Sequence, residues 1–435
     1  MDISVNEVIS ELQKCVKCGI CQSVCPLYKE LFQENLVARG RIALMNDSIN
    51  SRNTSLNKPL DLKNLESADE LSDVSLSIKF RETIDKCMVC LNCQSSCPQG
   101  INYEKLITYF RHLIHERYGY NPPKRLLLKN ILKEGKYKEL LYKTGSYISK
   151  CLFPLKSLNN DGSDCLNIPL TRFPYVNFAK KNFRDLYPEE IKAKDEKFRV
   201  GFFVGCAIDY FMTDIGKSLI VLCKKFNITV IIPENQTCCG LPAKIYGDIK
   251  ASSEMIDENI RAFKNKDVDY IVTLCSSCGK ELKNMNDLFS DKVVDFTELY
   301  KQTMSHLLVK SSKIKMLQQK VERKLAVTYH VPCHLRCGQG IFKEPIKILK
   351  ELKTVDFIDM DEADSCCGLA GTFGINERAI SKKIGEKKAD NIIASGADIV
   401  TTSCPACIFQ ISNALKDKGS NIKTMHIVQL LNKLS

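Results

Sequence analysis

Cys15-Val16-Lys17-Cys18-Gly19-Ile20-Cys21-Gln22-Ser23-Val24-Cys25-Pro26 recurs as Cys87-Met88-Val89-Cys90-Leu91-Asn92-Cys93-Gln94-Ser95-Ser96-Cys97-Pro98. Both are C-x2-C-x2-C-x3-C-P, the run that holds a pair of cubane iron–sulfur clusters. Three closely spaced thiolates can face three corners of one cubane. The fourth, turned away just before the proline, is positioned to reach the other. The predicted sets are therefore Cys15, Cys18, Cys21 and Cys97 for one 4Fe–4S cluster, and Cys87, Cys90, Cys93 and Cys25 for the second. A pair of zinc knuckles is the rival reading, because C-x2-C alone suits zinc. Four cysteines at this spacing, followed by proline and then repeated whole, argue for clusters and for a chain that carries electrons.

The 435 residues suffice for two or three domains with proper cores. The 22 cysteines do not describe a disulfide-rich secreted chain, a class that is short and exported. The opening Met1-Asp2-Ile3-Ser4-Val5-Asn6-Glu7 has no apolar core of a signal peptide. Cysteines grouped as C-x2-C and C-C-G suit metal binding in a reducing compartment, so a cytoplasmic protein is expected. No apolar run approaches a membrane span, and any membrane contact would be peripheral, on the inner face. A net charge of +12 invites a nucleic-acid reading, but no nucleic-acid module is recognisable and the lysines are spread along helical faces. No G-x-G-x-x-G opens a helix after a strand, so neither NAD nor FAD is expected on this chain.

The domains are expected at 1–120, an α-helical unit with both cysteine runs and an insertion at 46–80; at 121–195, a basic linker; and at 196–310 and 320–435. Within the first, helices are predicted at 5–14, 27–45, 80–86 and 102–117, the last placing Leu106, Tyr109, Phe110, Leu113 and Ile114 at helical spacing. Arg39 and Arg41 are read as braces beside an anionic cluster or as solvated cations. Residues 122–156 carry nine Lys or Arg against two acids, with leucines interleaved. Such a segment lies on an anionic membrane or a partner, or packs on its own protein with a solvated lysine face, and the last is the simpler reading. Cys151 and Cys165 lie outside any motif.

Residues from 198 onward are an internal duplication. A strand at 198–204 ends at Cys206, one at 228–232 ends at Cys238-Cys239-Gly240, and one at 270–274 ends at Cys275-Ser276-Ser277-Cys278. The second copy runs 325–331 into Cys333, 355–358 towards Cys366-Cys367-Gly368, and 399–402 into Cys404-Pro405-Ala406-Cys407. The offsets 333 − 206 = 127, 367 − 239 = 128 and 407 − 278 = 129 are nearly constant. Alternating strands and helices predict parallel α/β layers, with ligand loops at the carboxyl ends of the strands. Each copy offers five thiols where zinc or a cubane needs four. An adjacent pair cannot readily bind one small ion but can bridge irons of a larger cluster. Thiol–disulfide exchange at the C-x2-C is the other option, though it leaves the lone cysteine and the pair unused. His330 and His334 flank Cys333 as ligand candidates or, more simply, as packed strand-end histidines. Cys337 is a spare thiol.

These residues resemble the paired CCG, or cysteine-rich, domains of heterodisulfide reductase, the glycolate oxidase iron–sulfur subunit, the lactate-utilisation proteins and the C subunit of anaerobic glycerol-3-phosphate dehydrogenase. The resemblance implies an α-helical ferredoxin domain followed by two duplicated α/β CCG domains. It implies one or two non-cubane iron–sulfur clusters, held by Cys206, Cys238, Cys239, Cys275 and Cys278 and by Cys333, Cys366, Cys367, Cys404 and Cys407, with zinc as the alternative in one copy. Ala38-Arg39-Gly40-Arg41-Ile42 and Cys97-Pro98-Gln99-Gly100-Ile101 look most like the glycolate oxidase subunit. Tyr329-His330-Val331-Pro332-Cys333-His334-Leu335-Arg336 and the run from Cys366 to Gly374 look closer to the glycerol-3-phosphate dehydrogenase subunit. The function implied is an electron-transfer subunit taking electrons from a partner flavoprotein with FAD, which oxidises glycolate or lactate, and passing them to a quinone or another carrier. Glycerol-3-phosphate oxidation and heterodisulfide or thiol–disulfide reduction are the alternatives.

Overall fold

The computed structural model describes residues 4–55, 76–119, 179, 181–285, 288–305 and 324–435. The basic segment 122–156, Cys151, Cys165 and the middle of the 46–80 insertion lie outside the described residues.

The N-terminal unit is helical because its apolar residues recur at helical spacing and its ends are capped. The Ser4 hydroxyl accepts from the Glu7 amide at 3.3 Å and starts the helix Val5–Gln13, whose Val5, Val8, Ile9 and Leu12 are all buried. The Asn102 side chain accepts from the Lys105 amide at 3.1 Å and starts Tyr103–Tyr118. Leu106, Ile107 and Phe110 of that helix meet Val8, Met45 and Ile84 in one core. Each such side chain contributes roughly 1.5–3 kcal/mol on burial.

The single helix expected over 27–45 is split. Pro26–Leu31 ends where Phe32 turns left-handed (φ 53°), a 3-10 turn follows at Glu34–Leu36, and a new helix runs Ala38–Ser55. Gly40 permits the break: a Cβ there would stand 2.0 Å from the Glu34 carbonyl oxygen. Apolar spacing continues across the break, which is why periodicity alone did not locate it.

Two parallel sheets follow. The first contains β1 (Glu190–Ile191), β2 (Phe198–Phe203), β3 (Ile228–Ile231), β4 (Tyr270–Thr273) and β5 (Val293–Asp295), in the order β1-β3-β2-β4-β5. The second contains β6 (Leu325–Tyr329), β7 (Val355–Phe357), β8 (Ile399–Thr402) and β9 (Lys423–His426), in the order β7-β6-β8-β9. All pairings are parallel except β1 on β3. The four parallel strands match one for one between copies, so the duplication read in the cysteines is a duplication of topology. In each copy the first strand lies between the second and the third, which makes its carboxyl end the switch point where α/β sheets hold ligands.

The first sheet starts earlier than the sequence reading, which counted residues up to 195 as linker. Glu190–Ile191 pairs with β3, and Phe183 is buried against the ring of Phe202, the centroids 5.5 Å apart. A two-residue strand carries no periodic signal, and its charged neighbours read as linker. One apolar core runs through both sheets, joining Leu219 and Leu222 to Leu430 and Leu431.

The helical unit is fastened to the first sheet unit by buried charge. Lys280, 2% exposed, pairs with Glu281 at 2.7 Å and with Glu104 of Tyr103–Tyr118, and Lys244 reaches Glu281 at 3.1 Å and Glu104 at 3.3 Å. Arg111 adds hydrogen bonds to the carbonyls of Ile84, Asp85 and Cys87 on its own side and of Ile245 across the interface, at 2.7–3.1 Å. Against the second sheet unit the contact is mainly apolar: Leu27, Leu36 and Met88 meet Phe373 and Ile384.

Candidate iron–sulfur centres

The two cysteine runs share a backbone that propensity alone would not choose. Lys17 (φ 57°) and Gly19 (φ 89°) in the first correspond to Val89 (φ 49°) and Leu91 (φ 64°) in the second, all left-handed. A β-branched residue there is strained. The strain is held in place by His334, whose Nε2 bonds the Val89 carbonyl at 2.9 Å while Nδ1 bonds Ser277 Oγ at 2.9 Å. These reversals curl each loop around its first three cysteines. The Val89 amide donates to Cys87 Sγ at 3.4 Å.

Cys15, Cys18, Cys21 and Cys97 line one pocket with Arg39 and Tyr103, and Cys93 stands at its inner wall. Cys25 lies beside Cys87 and Cys93 of the second run, and Cys97 beside the first three cysteines of the first run. Burial pushes the thiols of Cys25 and Cys93 up, opposed by the Arg41 guanidinium nearby. Arg41 is 2% exposed, donates to the carbonyls of Thr83 and Leu36, and is a buried brace; Arg39 pairs with Glu34 and donates to the Lys17 carbonyl at 3.3 Å nearer the surface.

The five cysteines of each sheet unit gather at the carboxyl ends of its strands. Cys206 and Cys333 follow the first strand, the adjacent pairs follow the second, and Cys275 and Cys404 are the N-cap residues of Ser276–Lys283 and Pro405–Asp417 after the third. The positive helix ends therefore face the sulfurs. In both copies the glycine after the pair is left-handed, Gly240 at φ 84° and Gly368 at φ 95°; a Cβ on either would stand 2.9 Å from the carbonyl oxygen of Ser252 or Ser381. The electrostatics repeat at the lone cysteine and the adjacent pair, but not after the third strand, where Cys275 is pushed up and Cys404 held down. Hydrogen bonding to Cys238 and to Cys366, with burial, pushes the lone Cys206 and Cys333 up. The second of each pair is held down, Cys239 by Cys238 and Cys278, and Cys367 by Cys366 and Cys407.

The sulfurs of Cys367 and Cys407 are 3.5 Å apart, too far for a disulfide, and every cysteine among the described residues is free. Ten thiols converging in two buried groups fit metal–sulfur ligation: proton-free thiolates packed this way need positive charge among them.

The four sets lie in a row. Cys93 and Cys21 line one pocket, Cys90 packs in one cluster with Cys333 and Cys366, and Cys404 lies beside Cys275. The last junction is fixed by Ser276, whose amide and hydroxyl both donate to the Ser403 carbonyl, at 3.2 and 2.8 Å. Cys18 is exposed at one end of the row, and at the other Cys206 and Cys238 open on a pocket with Arg184, Asp209 and Tyr210. Arg184 grips Asp209 through Nε at 2.9 Å and Nη2 at 2.8 Å. Cys337, outside every set, donates to Asn92 Oδ1 at 3.2 Å. The sequence reading missed Arg184, Arg111 and the lysine–glutamate group, which carry no motif and meet only through the fold.

The 4Fe-4S dicluster domain family matches residues 11–101, and the cysteine-rich domain family matches residues 200–283 and 327–412. The chain is 31% identical to lactate utilization protein A of a Geobacillus species, over 54% of this chain and 99% of that protein. A probable glycolate oxidase iron-sulfur subunit of Bacillus subtilis is 27% identical over 97% of this chain and 93% of its own length. An iron-sulfur protein of Methanococcus maripaludis is 32% identical over 82% of this chain, which spans 63% of that relative's length. The protein belongs to the iron–sulfur family that joins a dicluster ferredoxin domain to paired cysteine-rich domains. Within that family it is an electron-transfer subunit of an oxidoreductase. No helix among the described residues is long and apolar enough to cross a membrane.

Proposed function

We propose that this chain is the iron–sulfur subunit of a dehydrogenase complex whose partner, a flavoprotein with FAD, oxidises a 2-hydroxy acid of the glycolate or lactate type, and that it delivers the electrons to a quinone or another carrier. The observation that carries this reading is the row of four cysteine sets from exposed Cys18 to the pocket at Cys206 and Cys238, over a chain that parallels the Bacillus subunit nearly end to end. Cys15, Cys18, Cys21 and Cys97 would hold one cubane, and Cys87, Cys90, Cys93 and Cys25 the other. Cys206, Cys238, Cys239, Cys275 and Cys278 would hold a third group, and Cys333, Cys366, Cys367, Cys404 and Cys407 a fourth. When bound, such groups supply one-electron redox chemistry at a potential set by ligands, burial and hydrogen bonding. The chain supplies spacing, the Arg41 charge and the helix ends at Cys275 and Cys404. The basic segment 122–156 is the candidate contact with a membrane holding the quinone.

Cys18→Ser and Cys90→Ser test this. Each should stop electron delivery from the complex to quinone while sparing flavin-dependent oxidation measured with a dye. Undiminished delivery to quinone would sink the reading. The pocket at Cys206 and Cys238 favours one second reading, a disulfide reductase acting at the first sheet unit. That reading requires the purified chain to cleave a disulfide when given a low-potential reductant.

A further inference from the structure

His330 follows β6 directly, and its main-chain amide donates to the Thr401 carbonyl at 2.9 Å. The residue is 1% exposed, and neither ring nitrogen has a hydrogen-bond partner. Leaving one buried polar atom unpaired costs roughly 1–3 kcal/mol, and with the Ala363 carbonyl beside the ring to take its N–H, the atom left unmet is the lone-pair nitrogen. A ring nitrogen and the sulfurs of Cys367 and Cys407 all lie within 4.8 Å of one another. Donors bound about 2.0–2.3 Å from a tetrahedral metal stand roughly 3.3–3.8 Å apart. The 3.5 Å between Cys367 and Cys407 is already on that scale.

The chemistry of the neighbours narrows the role. A neutral imidazole has one N–H and one lone pair. Thiolates, and the Ala363 carbonyl beside the ring, can accept the N–H but cannot satisfy the lone pair. A metal can, and a metal-bound histidine commonly gives its other N–H to a backbone carbonyl. The first copy supplies the control. The position equivalent to His330 is Phe203 (330 − 203 = 127, the offset of the lone cysteines). Phe203 is fully buried in the cluster that contains Cys238, Cys239, Cys275 and Cys278, where its ring asks for no partner.

We propose that His330 is a nitrogen ligand of the metal group at the second cysteine-rich set, giving that set five thiolates and one imidazole where the first has thiolates alone. This rests on the reading that the second set holds an iron–sulfur group.

Pulsed EPR of the reduced holoprotein, grown with 15N-histidine, tests it. The signal that disappears in Cys407→Ser should carry the strong nitrogen coupling of a bonded imidazole. His330→Phe, which installs the residue of the first copy, should lose that coupling with iron and sulfide retained. His330→Cys should retain iron but lower the midpoint potential of that signal alone, since an anionic thiolate replaces a neutral ligand. No coupling, only the weak coupling of a hydrogen-bonded ring such as one paired with the unpartnered Thr402 hydroxyl, or a coupling that survives in His330→Phe would each overturn the assignment. Even if the variants fail to fold, a labelled parent protein in which no signal carries the strong coupling overturns the assignment. A second set without iron overturns both this inference and the function on which it rests, whereas an iron-loaded set without the coupling overturns this inference alone.

Discussion

The two cysteine-rich units share strand order and cysteine placement, yet the thiols that open the third-strand helices are shifted in opposite directions, Cys275 up and Cys404 down, and several side chains around the sulfurs differ in charge. Where the first unit has Phe203, Asp209, Asn259 and Asp295, the second has His330, Arg336, Lys388 and His426 at offsets of 127, 127, 129 and 131. Asn259 holds the Cys238 carbonyl at 2.9 Å by an uncharged bond. Lys388, 1% exposed, donates to the Glu362 carbonyl beside the cysteine pair, and burial pushes its ammonium down to about 8. Duplication kept the scaffold that gathers thiols and left free the charge that tunes them. Cations beside a metal–sulfur group favour its reduced, more negative state. The second unit, next to the ferredoxin runs, is therefore expected to have the higher potential. Lys388→Met should lower it by tens of mV, the scale on which a one-electron equilibrium shifts tenfold being about 59 mV, as redox titration followed by EPR would read. An unchanged potential would mean that solvent or ligands set the difference between units.

The largest expected effect concerns position in the row. Cys407→Ser should cut reduction of the first unit by electrons entering at the cubane end by at least about a hundredfold, a barrier increase on the order of 3 kcal/mol. Cys278→Ser should leave reduction of the second unit intact. Rapid-freeze EPR of both variants reads the asymmetry, and equal losses in both would break the proposed order.

Much of this site was legible because cysteine spacing is a local code for metal ligation. The two runs, the five-cysteine pattern and the helix starts at Cys275 and Cys404 all follow from it. The order of the four sets was not legible, because Cys90 meets Cys366, and Cys404 meets Cys275, only through tertiary packing. Nor was the anchoring of the helical unit, since Glu104, Lys244, Lys280 and Glu281 have no informative spacing. Lys280→Met tests that anchor. It leaves Glu104 and Glu281 short of a partner in a buried place, which costs roughly 3–5 kcal/mol when one member of such a pair is removed. A fall in Tm with earlier proteolysis between the helical unit and the first sheet unit is expected, and an unshifted Tm would refute it.

Asp295 and His426 make the comparison sensitive to pH. Both are buried helix N-caps with a returning side chain at the third position, Glu298 and Gln429. Burial pushes the Asp295 carboxyl up to about 6 and the His426 ring down to about 4. Between roughly pH 4 and 6 the folded state holds more protons at Asp295 than the unfolded state does, so stability from this site falls as pH rises. At His426 the unfolded state holds more protons between about pH 4 and 6.5, so stability falls as pH drops. Asp295→Asn should therefore gain on the parent as pH rises, by at most about 3 kcal/mol, and His426→Asn should gain as pH falls. Parallel Tm–pH curves for parent and variants would remove the difference between units.

The smallest effect is expected where the helical unit meets the second sheet unit. Lys29 pairs with Glu362 at 3.0 Å, but both side chains are more than a third exposed, at 39% and 35%. Water and salt screen such a pair, which is worth about 0–1 kcal/mol. The carboxyl of Glu362 is held below its ordinary range first by the hydrogen bond from Lys29, and Lys387 lies near enough at 3.2 Å to replace part of it. Lys29→Ala should therefore move Tm by a degree or two at most, with the difference vanishing in high salt. If it instead destabilised the protein as much as Lys280→Met, the apolar contact of Leu27 and Met88 with Phe373 and Ile384 would be a weaker seal than its burial implies. The two sheet units would then be fastened to the ferredoxin runs by the same means, buried or partly buried charge, rather than one by charge and the other by packing.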